Sequence, residues 1–219
     1  MNFESLRAFW RTYRQNGAKG DITIFKCDAF GVKADPAVEH ELDHVRGYAP
    51  RVDLAALRAL PDGTLGREYA RLLDDNGYDS FEVTDAVPRD MLARNVFGLR
   101  LAVTHDMIHV LTGFDTSWAG ELGVLAFSIG QRNSAAQGYV ALPLALLIYP
   151  LRAPWQIPAL LRCLRQGWRM GKRARFVLGQ RLEDSFARPV DEVREMLDIT
   201  VPERPARVRW GFLRLPATA

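Results

Sequence analysis

Apolar positions recur at helical spacing along most of this chain, and short polar breaks divide the pattern into pieces. Residues 2–15 set Phe3, Leu6, Trp10 and Tyr13 on one face and Arg7, Arg11 and Arg14 on another, which predicts an amphipathic surface helix ending before Asn16-Gly17. Asp35-Pro36 opens a second helix that ends near Gly47, and residues 53–60 give a short third one stopped by Pro61-Asp62-Gly63. Thr64 reads as the N-cap of a helix over 65–75, closed by Asn76-Gly77. From Pro88 to Thr112 the apolar residues Leu92, Val96, Leu99, Val103 and Ile108 predict one long helix, stopped by Gly113. Thr116 or Ser117 caps the next, which runs through Ile129. An apolar stretch over 139–151 carries Pro143 and Pro150, and helical spacing resumes over 154–182 and 190–197. Alternation suited to strands is confined to 21–27 and 206–212. The expectation is an all-α fold, one helical domain over 1–219 with no internal repeat.

The chain carries 29 basic and 26 acidic side chains and is 48% hydrophobic, which suits a folded core and excludes a disordered chain. Cys27 and Cys163 are the two cysteines, too few and too far apart for a disulfide framework or a cysteine zinc site. The net charge of +3 hides a division: residues 151–182 hold eight basic side chains and no acidic one. No run of about 18 apolar residues appears, and the N-terminus lacks a secretory core, so a cytosolic or membrane-peripheral chain is expected. The arginine-rich face of 2–15 also has the look of an organelle transit segment, but an amphipathic surface helix is the simpler reading.

The most specific chemistry lies at His105-Asp106-Met107-Ile108-His109, with Glu121 twelve positions after His109. On a helix, positions i and i+4 point the same way and i+1 lies within reach, so His105, Asp106 and His109 converge. If the chain reverses at 113–116, Glu121 sits at the depth of His109 on the facing helix of an antiparallel hairpin. Two imidazoles and two carboxylates suit Zn2+ and also accept Fe2+ or Mn2+. A histidine pair at this spacing is more often simply hydrogen-bonded, and the carboxylate on the second helix is what adds weight. The motif is similar to the HExxH of metalloproteases with the shorter Asp106 at the base position, and a nucleotide-hydrolysing HD domain would need further ligands that the chain supplies only loosely. His40 and His44 also lie four apart, but among acidic neighbours and without a partner helix, which reads as a solvated face.

The HDxxH-x11-E spacing resembles the metal-binding signature of the Coq-four family of ubiquinone (coenzyme Q) biosynthesis proteins. Leu60-Pro61-Asp62-Gly63-Thr64-Leu65-Gly66-Arg67-Glu68-Tyr69 is similar to that family's PxGTLGxxY stretch, and Arg100, Gly120, Gln131, 171–174, Glu183 and 193–197 also agree. The likeness spans about residues 55–200. It departs at Ala102, Leu125 and Ser128, where the mitochondrial pattern has charged residues, so a divergent, bacterial member with a more apolar site wall is expected. The resemblance implies an all-helical, membrane-peripheral protein that binds Zn2+ and a polyprenylated quinone precursor beside other ubiquinone-biosynthesis proteins. It implies metal-dependent, oxidative decarboxylation at ring carbon 1 of a polyprenylated hydroxybenzoate, through a metal on His105, Asp106, His109 and Glu121. Zn2+ has no redox chemistry, so a coupled hydroxylation would require iron or another component. The alternatives are a non-catalytic lipid-binding scaffold that organises the biosynthetic enzymes, and a metallohydrolase.

Residues 139–182 read as a membrane-facing segment. Ile157, Leu161, Leu164 and Trp168 recur at helical spacing beside Arg162, Arg165, Arg169 and Arg173. Neighbouring apolar and basic stripes suit a helix lying in an anionic headgroup layer, at about 1 kcal/mol per basic residue. A core-facing helix with a solvated basic face is the plainer alternative, and no nucleic-acid recognition motif accompanies the block. The expected location is cytoplasmic and peripheral on the inner membrane, or on the mitochondrial inner membrane in a eukaryote; the amphipathic helices leave a homodimer open.

Overall fold

The computed structural model describes residues 1–78 and 83–202. Among these, α1 (Phe3–Arg14), α2 (Lys19–Phe30), α3 (Leu54–Arg58), α4 (Leu65–Asn76) and α5 (Arg89–Arg94) precede the central pair α6 (Val96–Thr112) and α7 (Trp118–Gly130). They are followed by α8 (Leu142–Arg152), α9 (Ile157–Arg173) and α10 (Val190–Met196), with no strand among the described residues. The expected all-α class therefore holds. The expected strand at 206–212 lies outside the described residues.

α6 is the axis of the fold. Leu99 and Val103 pack with Ile24, Phe25, Val87 and Met91 in a smaller cluster, while Met107, Ile108 and Leu111 belong to the main core. A helix used on nearly every side shows little amphipathic contrast. Its last carbonyls are capped from α10, where Arg194 donates from Nε to the Leu111 oxygen (2.9 Å) and from Nη2 to that of Val110 (3.0 Å). The tightest crossing is α7 against α9. A Cβ at Gly167 would lie 2.1 Å from the Gly123 oxygen, and one at Gly171 would lie 2.1 Å from the Phe127 oxygen. Only glycine lets these two backbones approach so closely.

Four expectations need correction. Residues 21–27 belong to α2: Ile24, Phe25 and Cys27 are buried, and the buried Asp21 accepts from Thr84 N (2.8 Å) and Oγ1 (2.6 Å). Tertiary contacts overrode a β-branched alternation. The piece over 35–47 forms turns and a 3-10 helix at Glu39–Val45 that buries only Leu42 and Val45, at i and i+3. The long helix over 88–112 breaks at Asn95, whose Oδ1 accepts from Gly98 N (3.1 Å) and starts α6 afresh. The helix over 154–182 ends at Arg173, because Gln131 takes the following backbone, donating to the Arg175 oxygen (2.5 Å) and accepting from Val177 N (3.2 Å). Phe176, Val177 and Leu178 then fill the core as irregular chain.

Candidate metal centre

Local chain chemistry builds the α6–α7 turn. Gly113 ends α6 in the left-handed region at φ 73°. The Asp115 carboxylate accepts from Ser117 N (3.1 Å) and Oγ (2.5 Å), and Ser117 Oγ in turn accepts from Gly120 N (3.2 Å), capping α7. A Cβ at position 120 would lie 1.8 Å from the Asp115 oxygen, so this turn requires glycine there. Glu121 is thereby held in the first turn of α7, opposite His105 and His109 on α6.

The three side chains meet. Glu121 Oε1 lies 3.4 Å from His109 Nε2, and Oε2 lies 3.6 Å from His105 Nε2. One ligand atom from each can be chosen so that all fall within 4.8 Å of one another. The imidazoles stand edge to face, 5.1 Å between centroids. His109 Nδ1 lies 3.1 Å from the Phe114 oxygen. A carbonyl can only accept, so Nδ1 carries the hydrogen and Nε2 keeps its lone pair in neutral His109. That Nε2 is buried and makes no hydrogen bond. Asp106 is not in the convergent group, since one residue along a helix is a rotation of about 100°. It is buried immediately beside the group, and its Oδ2 also lacks a partner.

The electrostatics couple these groups. Burial would push the Glu121 carboxyl up, but the two histidines outweigh it and bring the pKa to about 2. Burial would lower His109, and the Glu121 carboxylate and Phe114 carbonyl more than reverse this, so its pKa is raised. Asp106 is raised, chiefly by burial, against the opposing pull of His105 and His109. One carboxylate and two imidazoles converge, with an unpartnered lone pair on His109 and the unpartnered Asp106 carboxylate beside them, a donor set that fits a divalent cation.

No local sequence pattern singles out Tyr78, Tyr149 or their ring partners Lys19 and Trp118. Tyr78 and Tyr149 both stand near enough to Glu121 for its charge, after burial, to raise their pKa. Tyr149 packs on Trp118 with 4.9 Å between centroids, and Lys19 Nζ sits 4.6 Å over the Tyr78 ring. Tyr78 comes from the end of α4, tied to the hairpin turn where Thr116 Oγ1 donates to Asn76 Oδ1 (2.6 Å). No local pattern announces such contacts between distant segments.

On α9, Ile157, Leu161, Arg162, Arg165, Trp168, Arg169 and Arg173 are exposed, whereas Leu164 is partly buried against the core. The most exposed apolar side chains lie before α9, with Tyr139 at 85% and Leu151 at 76%, joined by Val140, Leu144, Leu147 and Trp155. No single helix among the described residues is long and apolar enough to cross a membrane; Gln137–Arg152 and Pro154–Arg173 meet at a bend of 112°. His40 and His44 are exposed and outside any metal-capable group among the described residues.

Residues 48–203 match the profile of the family described as coenzyme Q (ubiquinone) biosynthesis protein Coq4. A mitochondrial ubiquinone biosynthesis protein homologue from Nematostella vectensis is 34% identical over 159 residues, 70% of this chain and 74% of that protein. Homologues of the same name from Danio rerio and Homo sapiens are 35% and 34% identical over 74% and 69% of this chain. The chain spans little more than half the length of these two, 58% and 56%. A crystal structure from Nostoc punctiforme superposes with a TM-score of 0.60 at 22% identity, covering 88% of this chain and 93% of that one. At that identity the likeness carries the fold alone.

Proposed function

The chain belongs to the Coq4 family of coenzyme Q (ubiquinone) biosynthesis proteins, and on that premise we propose that it is a metal-dependent decarboxylase acting on ring carbon 1 of a polyprenylated hydroxybenzoate. One observation carries the reading: the buried His109 Nε2, its tautomer set by Phe114, has no hydrogen-bond partner and faces the Glu121 carboxylate beside His105. His105, His109 and Glu121 hold the metal, with Asp106 as the neighbouring second carboxylate. The donor set suits Zn2+ and accepts Fe2+ or Mn2+. A bound cation would supply Lewis-acid stabilisation of the ring carboxylate and of the electron pair left on carbon 1 when CO2 departs, until a proton takes the place of the lost group. Phe114 orients His109, and Tyr149, close enough to Glu121 to feel its charge, packs on Trp118 to offer the ring an apolar contact beside the site.

The test uses cells that lack the native protein. His105→Ala and Glu121→Ala are each supplied, and accumulated quinone precursors are analysed. Accumulation of a carboxylated ring, with the biosynthetic complex still assembled, is the expected result. Loss of assembly with no specific precursor would instead favour a lipid-binding scaffold, a reading to which the exposed apolar residues around α8 lend weight.

The same surface suits an anionic bilayer. Exposed Leu144, Leu147 and Leu151 precede an α9 face bearing Arg162, Arg165 and Arg169. Vesicles containing anionic lipid should retain the protein. At about 1 kcal/mol per basic residue, the triple Arg162/Arg165/Arg169→Glu variant should weaken binding by a hundredfold or more. Equal retention of the variant in a co-sedimentation assay would remove α9 from the account. Attachment of this kind, on the inner membrane where the precursor lies, is the location we assign.

A further inference from the structure

α1 is built inside out. The side it turns to the body of the protein is small: Ser5 is buried, Thr12 is half-buried, and Ala8 and Phe9 pack against the smaller core cluster. Polar contacts to α2 do much of the holding. Ser5 Oγ donates to Asp28 Oδ2 (2.5 Å), Asn2 Nδ2 donates to the same oxygen (3.0 Å), and Asn2 N donates to the Ala29 oxygen (2.9 Å). The large apolar side chains point the other way, with Phe3 63%, Tyr13 57% and Trp10 50% exposed. At about 100° per residue, Tyr13, Leu6, Trp10 and Phe3 follow one another around the outer face, and Arg14, Arg7 and Arg11 continue it. The Trp10 ring stands edge-on to Phe9 (5.1 Å between centroids) and to Tyr13 (6.0 Å). An open groove runs between the two halves, lined by Phe3, Leu6 and Trp10 and by the three arginines. None of those guanidiniums makes an ion pair among the described residues.

An outward aromatic strip beside three unpaired cations selects its occupant by charge. A second copy of this face would set arginine against arginine. A layer of anionic headgroups meets both halves: Trp and Tyr rings settle between acyl chains and water, and arginine stems lie along apolar surface while their guanidiniums reach phosphate. We propose that α1 is a second membrane-docking face of this protein, lying along an anionic phospholipid surface with Phe3, Trp10 and Tyr13 at the acyl boundary and Arg7, Arg11 and Arg14 on lipid phosphates. The face precedes residue 48, where the family match begins, and shares no residue with the α8–α9 surface or the metal centre. The inference therefore goes beyond the decarboxylase reading and does not depend on it.

The test is co-sedimentation of the full chain with vesicles of phosphatidylcholine, alone and with added phosphatidylglycerol. The wild-type chain is expected to prefer the anionic vesicles. Arg7/Arg11/Arg14→Gln is made in the wild-type chain and again in the Arg162/Arg165/Arg169→Glu chain, so that loss at α1 is read apart from loss at α9. In the wild-type background the substitution should weaken binding to anionic vesicles about a hundredfold. Arg7/Arg11/Arg14→Lys should keep most of the binding, and Trp10→Ala should weaken it about tenfold. Thermal midpoints should match the wild type, because these side chains project from the fold. An Arg7/Arg11/Arg14→Gln chain that binds anionic vesicles as tightly as its parent overturns the assignment, and hands the face to an acidic protein partner. An equal loss in the lysine variant also overturns it, since charge is then not what binds. A wild-type chain that ignores anionic vesicles overturns this face and the α9 attachment together.

Discussion

Arg100→Met is expected to lower the stability of the protein by about 3–5 kcal/mol, roughly 10 °C in Tm. Arg100 is fully buried on α6, five residues before His105, and its partner Glu183 has a side chain only 5% exposed. Nη1 donates to Glu183 Oε1 (3.0 Å), Nη2 to Oε2 (3.3 Å), Nε to the Leu178 oxygen (3.1 Å) and Nη2 to the Gln180 oxygen (2.6 Å). Methionine keeps the packing of the stem but strands the Glu183 carboxylate and two carbonyls away from water. The stranded charge dominates the cost, so the double variant Arg100→Met/Glu183→Met should regain much of the loss. Thermal unfolding of the two variants decides it. A single variant within about 1 kcal/mol of wild type would show that water reaches this network. Arg100 thus ties the helix that carries His105 and His109 to the chain over 178–183.

Glu121→Gln is expected to weaken metal binding on the order of a hundredfold, as a ligand should matter at least as much as the outer-shell partners that orient one. Its effect on pH dependence is more telling. In the metal-free protein the Glu121 carboxylate favours the protonated form of His109, whose pKa is raised. Metal must displace that proton, so affinity should rise with pH through the His109 pKa and fall below it. Glu121 itself, with a pKa of about 2, stays ionised throughout that range. Without the carboxylate, burial dominates and His109 loses its proton more readily. The acid limb of the affinity profile should therefore move to lower pH in Glu121→Gln, even as affinity falls at every pH. Competition titration with a chromophoric chelator between pH 5 and 8 reads both effects. An acid limb that stays in place would separate His109 from Glu121.

The helices that punctuation frames were legible from residues alone. Asn76-Gly77 after α4 and the Gly113 to Ser117 turn before α7 are local signals, and they place Glu121 opposite His109. The i, i+4 spacing likewise puts both imidazoles on one face. What stayed hidden depends on contacts between distant segments. α2 carries no clean helical period because it is buried on several sides, and the end of α9 is decided by Gln131, over forty residues away. Asp106 illustrates a finer limit: the spacing placed it near the pair, while the rotation of the helix sets it beside the convergent group. Lys19 and Tyr78 come together only because α2 packs on α6 and Thr116 ties α4 to the turn.

The proposed chemistry requires that His105, His109 and Glu121 hold a metal ion in the working protein. The most direct measurement is elemental analysis of the purified chain, expressed without added metal and dialysed against metal-free buffer, alongside Glu121→Ala prepared identically. Close to one equivalent of a divalent transition metal is expected in the wild type and a small fraction of that in the variant. Wild-type protein that retains no metal yet still restores quinone synthesis, or a variant that retains as much as the wild type, would contradict that requirement.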